Sequence, residues 1–203
     1  VKRVSLAAMH MLDIVNDVLD LGNSSCKKVK IKNDRINFND VISDIKLMYY
    51  DLALFNNINF EIETDTLISR YLIGDSLRLK QVIFNLISNA IKYNKENGKI
   101  NLKVSVTNDK IDSQRLMFVI EDSGIGIKRE NIKDIFKAYN REDRKETKQI
   151  TGTGLGLSIS YNLVKLMGGE LMVDSQIDEG TVFWFELNFR KDKRGFVISN
   201  NEE

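Results

Sequence analysis

Residues 75–98 constrain the fold more than any other stretch of this chain. Leu79, Val82, Ile83, Leu86, Ile87, Ala90 and Ile91 recur at spacings of three and four, the mark of a helix with one buried face. Asp75 stands where an N-cap belongs, and the run "NKENG" breaks the pattern. The spacing predicts a helix over 76–94. Its second stripe is Arg78, Gln81, Asn85, Asn89 and Lys92. A solvated face would have the same register, but such faces are usually written with Lys and Glu. Neutral amides beside a lysine suit a hard cation and an anion instead. An Asn carbonyl can ligate Mg²⁺, which takes oxygen ligands, and Lys92 could meet a phosphate.

Around this helix the chain reads as a mixture. Val4, Ala8, Met11, Leu12, Val15, Val18 and Leu19 predict an amphipathic helix over 1–21 with the narrow stripe of a bundle. Gly22 and Asn23 offer its C-cap. "VKIKNDRINF", "INFEIET", "RYLIG", "KINLKVSV" and "RLMFVIE" read as strands, the last apolar enough for burial on both faces. Asp40–Phe55 reads as a helix capped by Asn39, with Val41, Ile45, Met48 and Leu52 on one face. "KRENIKDIF" predicts a short helix, 137–153 a polar loop, and 155–167 a helix closed by Gly168-Gly169. "GELMVDS" and "TVFWFELNF" form a closing pair of strands. The expected fold is α+β: a two-layer sandwich of a mixed sheet covered by helices on one face, preceded by one bundle-type helix. The expected divisions are a helical segment over 1–24, a main domain over 25–190 and a polar tail or linker over 191–203.

Composition narrows the chemistry. The 203 residues have a formal net charge of +1, so no global field favours nucleic acid or an anionic membrane. No apolar run is long enough to span a bilayer. One Cys, Cys26, and one His, His10, cannot assemble the usual zinc sets. The lone Cys suits a reducing compartment. The start has no signal-peptide pattern and no initiator Met, which suggests a piece of a longer protein.

Two glycine-bearing stretches complete the candidates. "VIEDSGIGI" (119–127) ends an apolar strand in Asp122, followed by Gly124 and Gly126. A carboxylate there could accept a hydrogen bond from an exocyclic amine such as that of adenine, and a plain strand-end turn explains the same residues about as well. "TGTGLGLSI" (151–159) alternates Gly152, Gly154 and Gly156 before a helix. That is the setting of an anion site, or of a hinge beside the loop. It is neither a P-loop nor a Rossmann fingerprint.

In this order the three stretches resemble the ATP-binding domain of sensor histidine kinases, the Bergerat-fold group that includes gyrase, Hsp90 and MutL. "GDSLRLKQVIFNLISNAIKY" is similar to the family's N box, "EDSGIGI" to its first glycine box, "IFKAY" to its phenylalanine box and "GTGLGLSI" to its second glycine box. The resemblance covers about residues 30–190 and implies ATP and Mg²⁺. Asn89 would ligate the metal, Asn85 would contact the same phosphate region, and Lys92 would hold a phosphate. Tyr93 would pack near the base, Asp122 would bind the adenine amino group, and Gly124, Gly126 and Ile127 would pass close to it. Phe136 and Tyr139 would anchor an ATP lid over 137–153, and Arg141 would reach the phosphates from it. Gly152, Thr153, Gly154, Leu155, Gly156 and Leu157 would border the triphosphate. In hydrolysing relatives a Glu activates water at the position of Asn85. An amide there cannot act as a base, which implies transfer to another acceptor rather than hydrolysis.

"MLDIVNDVLDLG" is similar to the second helix of the family's dimerisation and phosphoacceptor hairpin. The acceptor histidine lies on the preceding helix in that family, followed by an acidic residue and a proline. This chain contains no Pro, and His10 is on the wrong helix. The resemblance therefore implies a protein-histidine kinase fragment without its usual acceptor, cytoplasmic, dimeric through the hairpin in the full protein. It would bind ATP and ADP, serve a response regulator, and touch neither nucleic acid nor membrane. The alternatives are a nucleotide-sensing module without transfer activity and a Bergerat-fold ATPase.

Overall fold

A computed structural model describes residues 30–137 and 154–192. The helix expected over 1–21, His10, Tyr139, Arg141, Gly152, Thr153 and most of the tail lie outside the described residues.

Seven strands form one sheet: β1 (Asp34–Asn37), β2 (Asn59–Thr64), β3 (Tyr71–Gly74), β4 (Lys99–Asp109), β5 (Ser113–Asp122), β6 (Leu171–Gln176) and β7 (Gly180–Lys191). Their order is β1-β3-β7-β5-β4-β2, with β6 also paired to β7. β2 lies parallel to β4 and the other pairs are antiparallel. The sheet is therefore mixed, as the sequence predicts. Three helices occur among the described residues: α1 (Phe38–Phe55), α2 (Ser76–Lys92) and α3 (Gly156–Leu166). The sheet is long in the middle because β5 and β7 alternate over ten paired positions, from Ser113↔Arg190 to Asp122↔Thr181. Lys191 still pairs with Leu72 and ends β7, and Asp192 is buried beside Arg35 at 3.1 Å.

One apolar cluster joins the two layers. Leu102, Leu116, Phe118 and Phe185 from the sheet meet Ile45, Ile83 and Ile87 from the helices, all of them buried. Phe118 and Phe185 are register partners whose rings stack at 4.9 Å. Each such side chain contributes roughly 1.5–3 kcal/mol by leaving water.

Local readings differ in four places. α1 begins at Phe38 rather than Asp40, with Asn37 in the cap position instead of Asn39. Asn37 sends its amide to the Asp40 carboxylate at 2.9 Å and makes no side-chain bond to the helix backbone. Met48 is exposed and Tyr49 takes the buried place. Its ring meets Phe84 edge-on at 5.4 Å and its hydroxyl donates to the Phe84 carbonyl at 3.0 Å, so a polar tip is buried with a partner. β5 is buried on one face only: Leu116, Phe118 and Ile120 face the core while Met117 and Val119 are half-buried on the opposite face. "KRENIKDIF" is a run of turns, not a helix: Asn131, Asp134 and Lys137 each donate their backbone N–H three residues back.

Candidate functional site

α2 is the scaffold of the site. The Asp75 carboxylate accepts from the Arg78 N–H at 3.0 Å and from the Lys32 N–H at 3.0 Å. It therefore caps the helix and pins the strand that enters the fold. Leu79, Val82, Ile83, Leu86, Ile87 and Ala90 are buried against the sheet, which turns the amide stripe away from the core. Asn85 and Asn89 lie one turn apart on that stripe, both half-buried.

Asn85 reaches across to α3. Its amide nitrogen lies 3.3 Å from the Gly156 carbonyl and 3.3 Å from the Ser160 hydroxyl. With both hydrogens directed to α3, the carboxamide keeps its oxygen as a hard acceptor. Among the described residues no group of three or more His, Cys, Asp or Glu side chains could hold a metal ion. A Mg²⁺ here would use amide oxygens, waters and the oxygens of its own phosphate partner, which fits how this ion is commonly bound. Lys92 ends the helix, its ammonium 5.3 Å from the Tyr93 ring centre.

The same C-terminal end of α2 holds the first glycine stretch. The Tyr93 carbonyl accepts from the Ile125 N–H at 3.0 Å. A Cβ on Gly124 would lie 2.3 Å from that carbonyl oxygen, and one on Gly126, where φ is +64°, would lie 1.9 Å from the Gln176 carbonyl. The glycines are thus required by backbone packing between α2 and the β6–β7 hairpin. The resemblance had assigned them to passage of a base, and the two demands are compatible.

Asp122 ends β5 with its carboxylate accepting from the Gly124 N–H at 2.8 Å. Burial raises its pKa to about 6; the Gly124 and Thr181 backbone bonds oppose that rise and Glu121 adds to it. A buried carboxylate has lone pairs beyond these two bonds and is suited to a ligand that brings a further N–H.

Gly154, Leu155, Gly156 and Leu157 lead into α3. Leu155 is buried, and its carbonyl accepts the Ser158 hydroxyl at 2.8 Å. Gly154 has φ of +74°. Phe136 stacks on Tyr161 of α3 with ring centres 5.0 Å apart. Ile127 is packed against the core, and its N–H donates to the Ser175 hydroxyl at 2.8 Å. The structure thus gathers Asn85, Tyr93, Asp122, Gly124, Gly126 and Ile127 with the start of α3 around α2 and the hairpin. Sequence reasoning missed Ser160, Tyr161, Ser175 and Thr181. Only the core-facing positions of the two serines and the threonine, polar where apolar residues are the rule, could have marked them.

Comparison with known proteins bears on the family and the fold. The family model described as "Histidine kinase-, DNA gyrase B-, and HSP90-like ATPase" matches residues 74–191. The sensor histidine kinase GacS of Pseudomonas protegens is 35% identical over 190 residues, 93% of this chain and 20% of the relative. The aerobic respiration control sensor protein ArcB of Escherichia coli (strain K12) is 32% identical over 188 residues, 92% of this chain and 24% of the relative. The chain thus spans about a fifth to a quarter of the length of these relatives. Among solved structures, full-length ShkA in complex with AMPPNP has a TM-score of 0.72 at 25% identity, covering 94% of this chain and 39% of that one. Histidine kinase ThkA in complex with the response regulator protein TrrA has a TM-score of 0.65 at 26% identity, covering 95% of this chain and 52% of that one. Among the described residues no helix is long and apolar enough to cross a membrane.

Proposed function

The chain belongs to the family of histidine kinase-, DNA gyrase B- and HSP90-like ATPases, and from that premise we propose that it is the ATP-binding catalytic part of a sensor histidine kinase. In this reading it binds Mg-ATP and delivers the γ-phosphate to a histidine on a separate helix, for relay to an aspartate of a response regulator. The observation that carries it is that one helix ties both glycine stretches together. α2 meets Gly156 through Asn85, and it meets the Asp122–Ile127 loop through the Tyr93 carbonyl. A nucleotide spanning the two has its base at Asp122 and its phosphates at the amide stripe.

Roles follow from the chemistry of each group. Asp122 accepts the adenine amine. Asn89 would supply an amide oxygen to Mg²⁺, which would neutralise phosphate charge, and Asn85 would contact the same phosphate region. Lys92 and Arg141 add positive charge, and Gly152, Thr153, Gly154, Leu155, Gly156 and Leu157 would border the triphosphate. Transfer breaks the bond from the γ-phosphorus to ADP as the bond to the acceptor imidazole forms. Such a reaction needs chiefly positioning and charge neutralisation. Asn85, an amide donating to α3, offers no base to activate water, which favours transfer over hydrolysis. The relative GacS, named as a sensor histidine kinase, and the structural neighbours ShkA, solved with AMPPNP, and histidine kinase ThkA, solved with a response regulator protein, support this reading. A dimer formed through the N-terminal segment and a cytoplasmic location belong to the same proposal.

The test is phosphate transfer from γ-labelled ATP to a supplied helical hairpin bearing an acceptor histidine. Acid-labile label on the hairpin, matched by ADP, is the expected result. Tight ATP binding without transfer would reduce the chain to a nucleotide-sensing module, and rapid hydrolysis would favour an ATPase.

A further inference from the structure

The adenine end of the site is held by a hydroxyl that no motif includes. Ser175, on β6, accepts from the Ile127 N–H at 2.8 Å and bonds the Gly180 carbonyl at 2.8 Å; its oxygen also lies 3.0 Å from the Thr181 hydroxyl. A serine hydroxyl has one hydrogen and two lone pairs. With its hydrogen on the Gly180 carbonyl, both lone pairs are taken by Ile127 and by the Thr181 hydroxyl hydrogen. Thr181 is buried and pairs in register with Asp122. A Cβ on Gly180 would lie 1.9 Å from the Asp122 carbonyl, so the two segments bridged by Ser175 also touch at the backbone. Asp178 closes the strap: its N–H donates to the Ile125 carbonyl at 3.0 Å, and the Lys95 ammonium bonds its own carbonyl.

We infer that Ser175 is a positioning residue for recognition of the adenine amine, fixing the Asp122–Ile127 loop against the β6–β7 hairpin and directing the Thr181 hydroxyl hydrogen away from Asp122. The inference rests on the reading of Asp122 as the amine acceptor. It agrees with the raised pKa of that carboxyl, whose donors are backbone N–H groups of Gly124 and Thr181. Removing the Ser175 hydroxyl frees the Thr181 hydroxyl to turn to Asp122 and loosens the loop. Both changes favour the charged carboxylate but blunt its hold on an incoming amine.

The experiment compares ATP with purine riboside triphosphate, which lacks the amine, on the full chain and its Ser175→Ala, Ser175→Thr and Asp122→Asn variants. Affinities are measured from pH 5 to 8, with urea stability alongside. Glu121, Lys99, Lys95 and Glu179 surround the same end of the sheet and are common to all the proteins compared. In Ser175→Ala, ATP affinity should fall about tenfold and analogue affinity less than about twofold, on the scale of one hydrogen bond to a charged group. The acid limb of ATP binding should move to lower pH, and Ser175→Thr should retain the wild-type preference. Lower stability with an unchanged preference and an unchanged pH midpoint would overturn the inference. If Asp122→Asn leaves the preference unchanged, the adenine reading falls and takes this one with it. If Asp122→Asn lowers the preference and Ser175→Ala does not, only the present inference fails. Should Ser175→Ala not fold, Ser175→Cys keeps the volume while weakening all three bonds, and the same comparison applies.

Discussion

The Asn85 amide nitrogen lies 3.3 Å from the Gly156 carbonyl, joining the amide face of α2 to the first residue of α3. The bond needs a donor at position 85. Asn85→Asp removes it and sets a carboxylate against a carbonyl. It should destabilise the fold by about 1–2 kcal/mol, more than Asn85→Ala. Urea unfolding of the two variants checks the order; equal losses would show that the carboxylate set against the Gly156 carbonyl adds no penalty.

Asp75 holds two backbone N–H groups, of Arg78 and Lys32, while only 6% exposed. Asp75→Ala should cost about 2–3 kcal/mol, beyond the ~1 kcal/mol of an ordinary cap, because the entering strand is released as well. Asp75→Asn, which keeps an acceptor oxygen, should lose less. Denaturant midpoints for both variants decide it.

Gly124→Ala and Gly126→Ala should each cost about 2–4 kcal/mol without any nucleotide present. Their added carbons meet the carbonyls of Tyr93 and Gln176, not a ligand. Gly156→Ala should be tolerated by the fold, since its Cβ would lie 3.6 Å from the Asn85 side chain, an ordinary contact. Thermal unfolding of the apo variants separates the two kinds of glycine. Equal tolerance at all three positions would contradict the packing argument.

The Asp122 pKa of about 6 is above its unfolded value of 3.8. A raised pKa means that the native state binds the proton more tightly than the unfolded chain does. The contribution is fully present below pH 3.8 and is lost as pH rises through about 6. This carboxyl alone should make the apo protein more stable at pH 5 than at pH 7.5, by about 1 kcal/mol. Asp122→Asn should flatten that part of the profile and weaken ATP binding. Urea midpoints of both proteins across this range provide the check.

The sequence made α2 legible because three signals coincide there: a cap at Asp75, a wide apolar stripe and a breaker at 94–98. The strands around it were legible as runs of strand-forming residues, alternating in "INFEIET", but the apolar run of β5 hid the fact that only one of its faces is buried. Position 49 was not. Tyr49 ranks below Met48 as a core residue until its hydroxyl is seen to find the Phe84 carbonyl. Residues 128–137 have helical composition, yet they are only a short run of turns ending at Phe136, whose ring stacks on Tyr161. Propensity gave way there to a tertiary contact. Of the site, the amides, Asp122 and the glycines were visible as motifs. Ser175 and Thr181 were not, because their meaning lies in contacts across a hairpin and to a loop 48 residues distant from Ser175.

The most direct test of the account is calorimetric titration of ATP and ADP into the folded chain, with and without Mg²⁺, beside Asn89→Ala. The account predicts magnesium-dependent ATP binding that weakens at least about tenfold in the variant, on the scale of one lost ligand bond. Absence of ATP binding by the folded chain in every condition, or binding indifferent to both Mg²⁺ and Asn89, would contradict it.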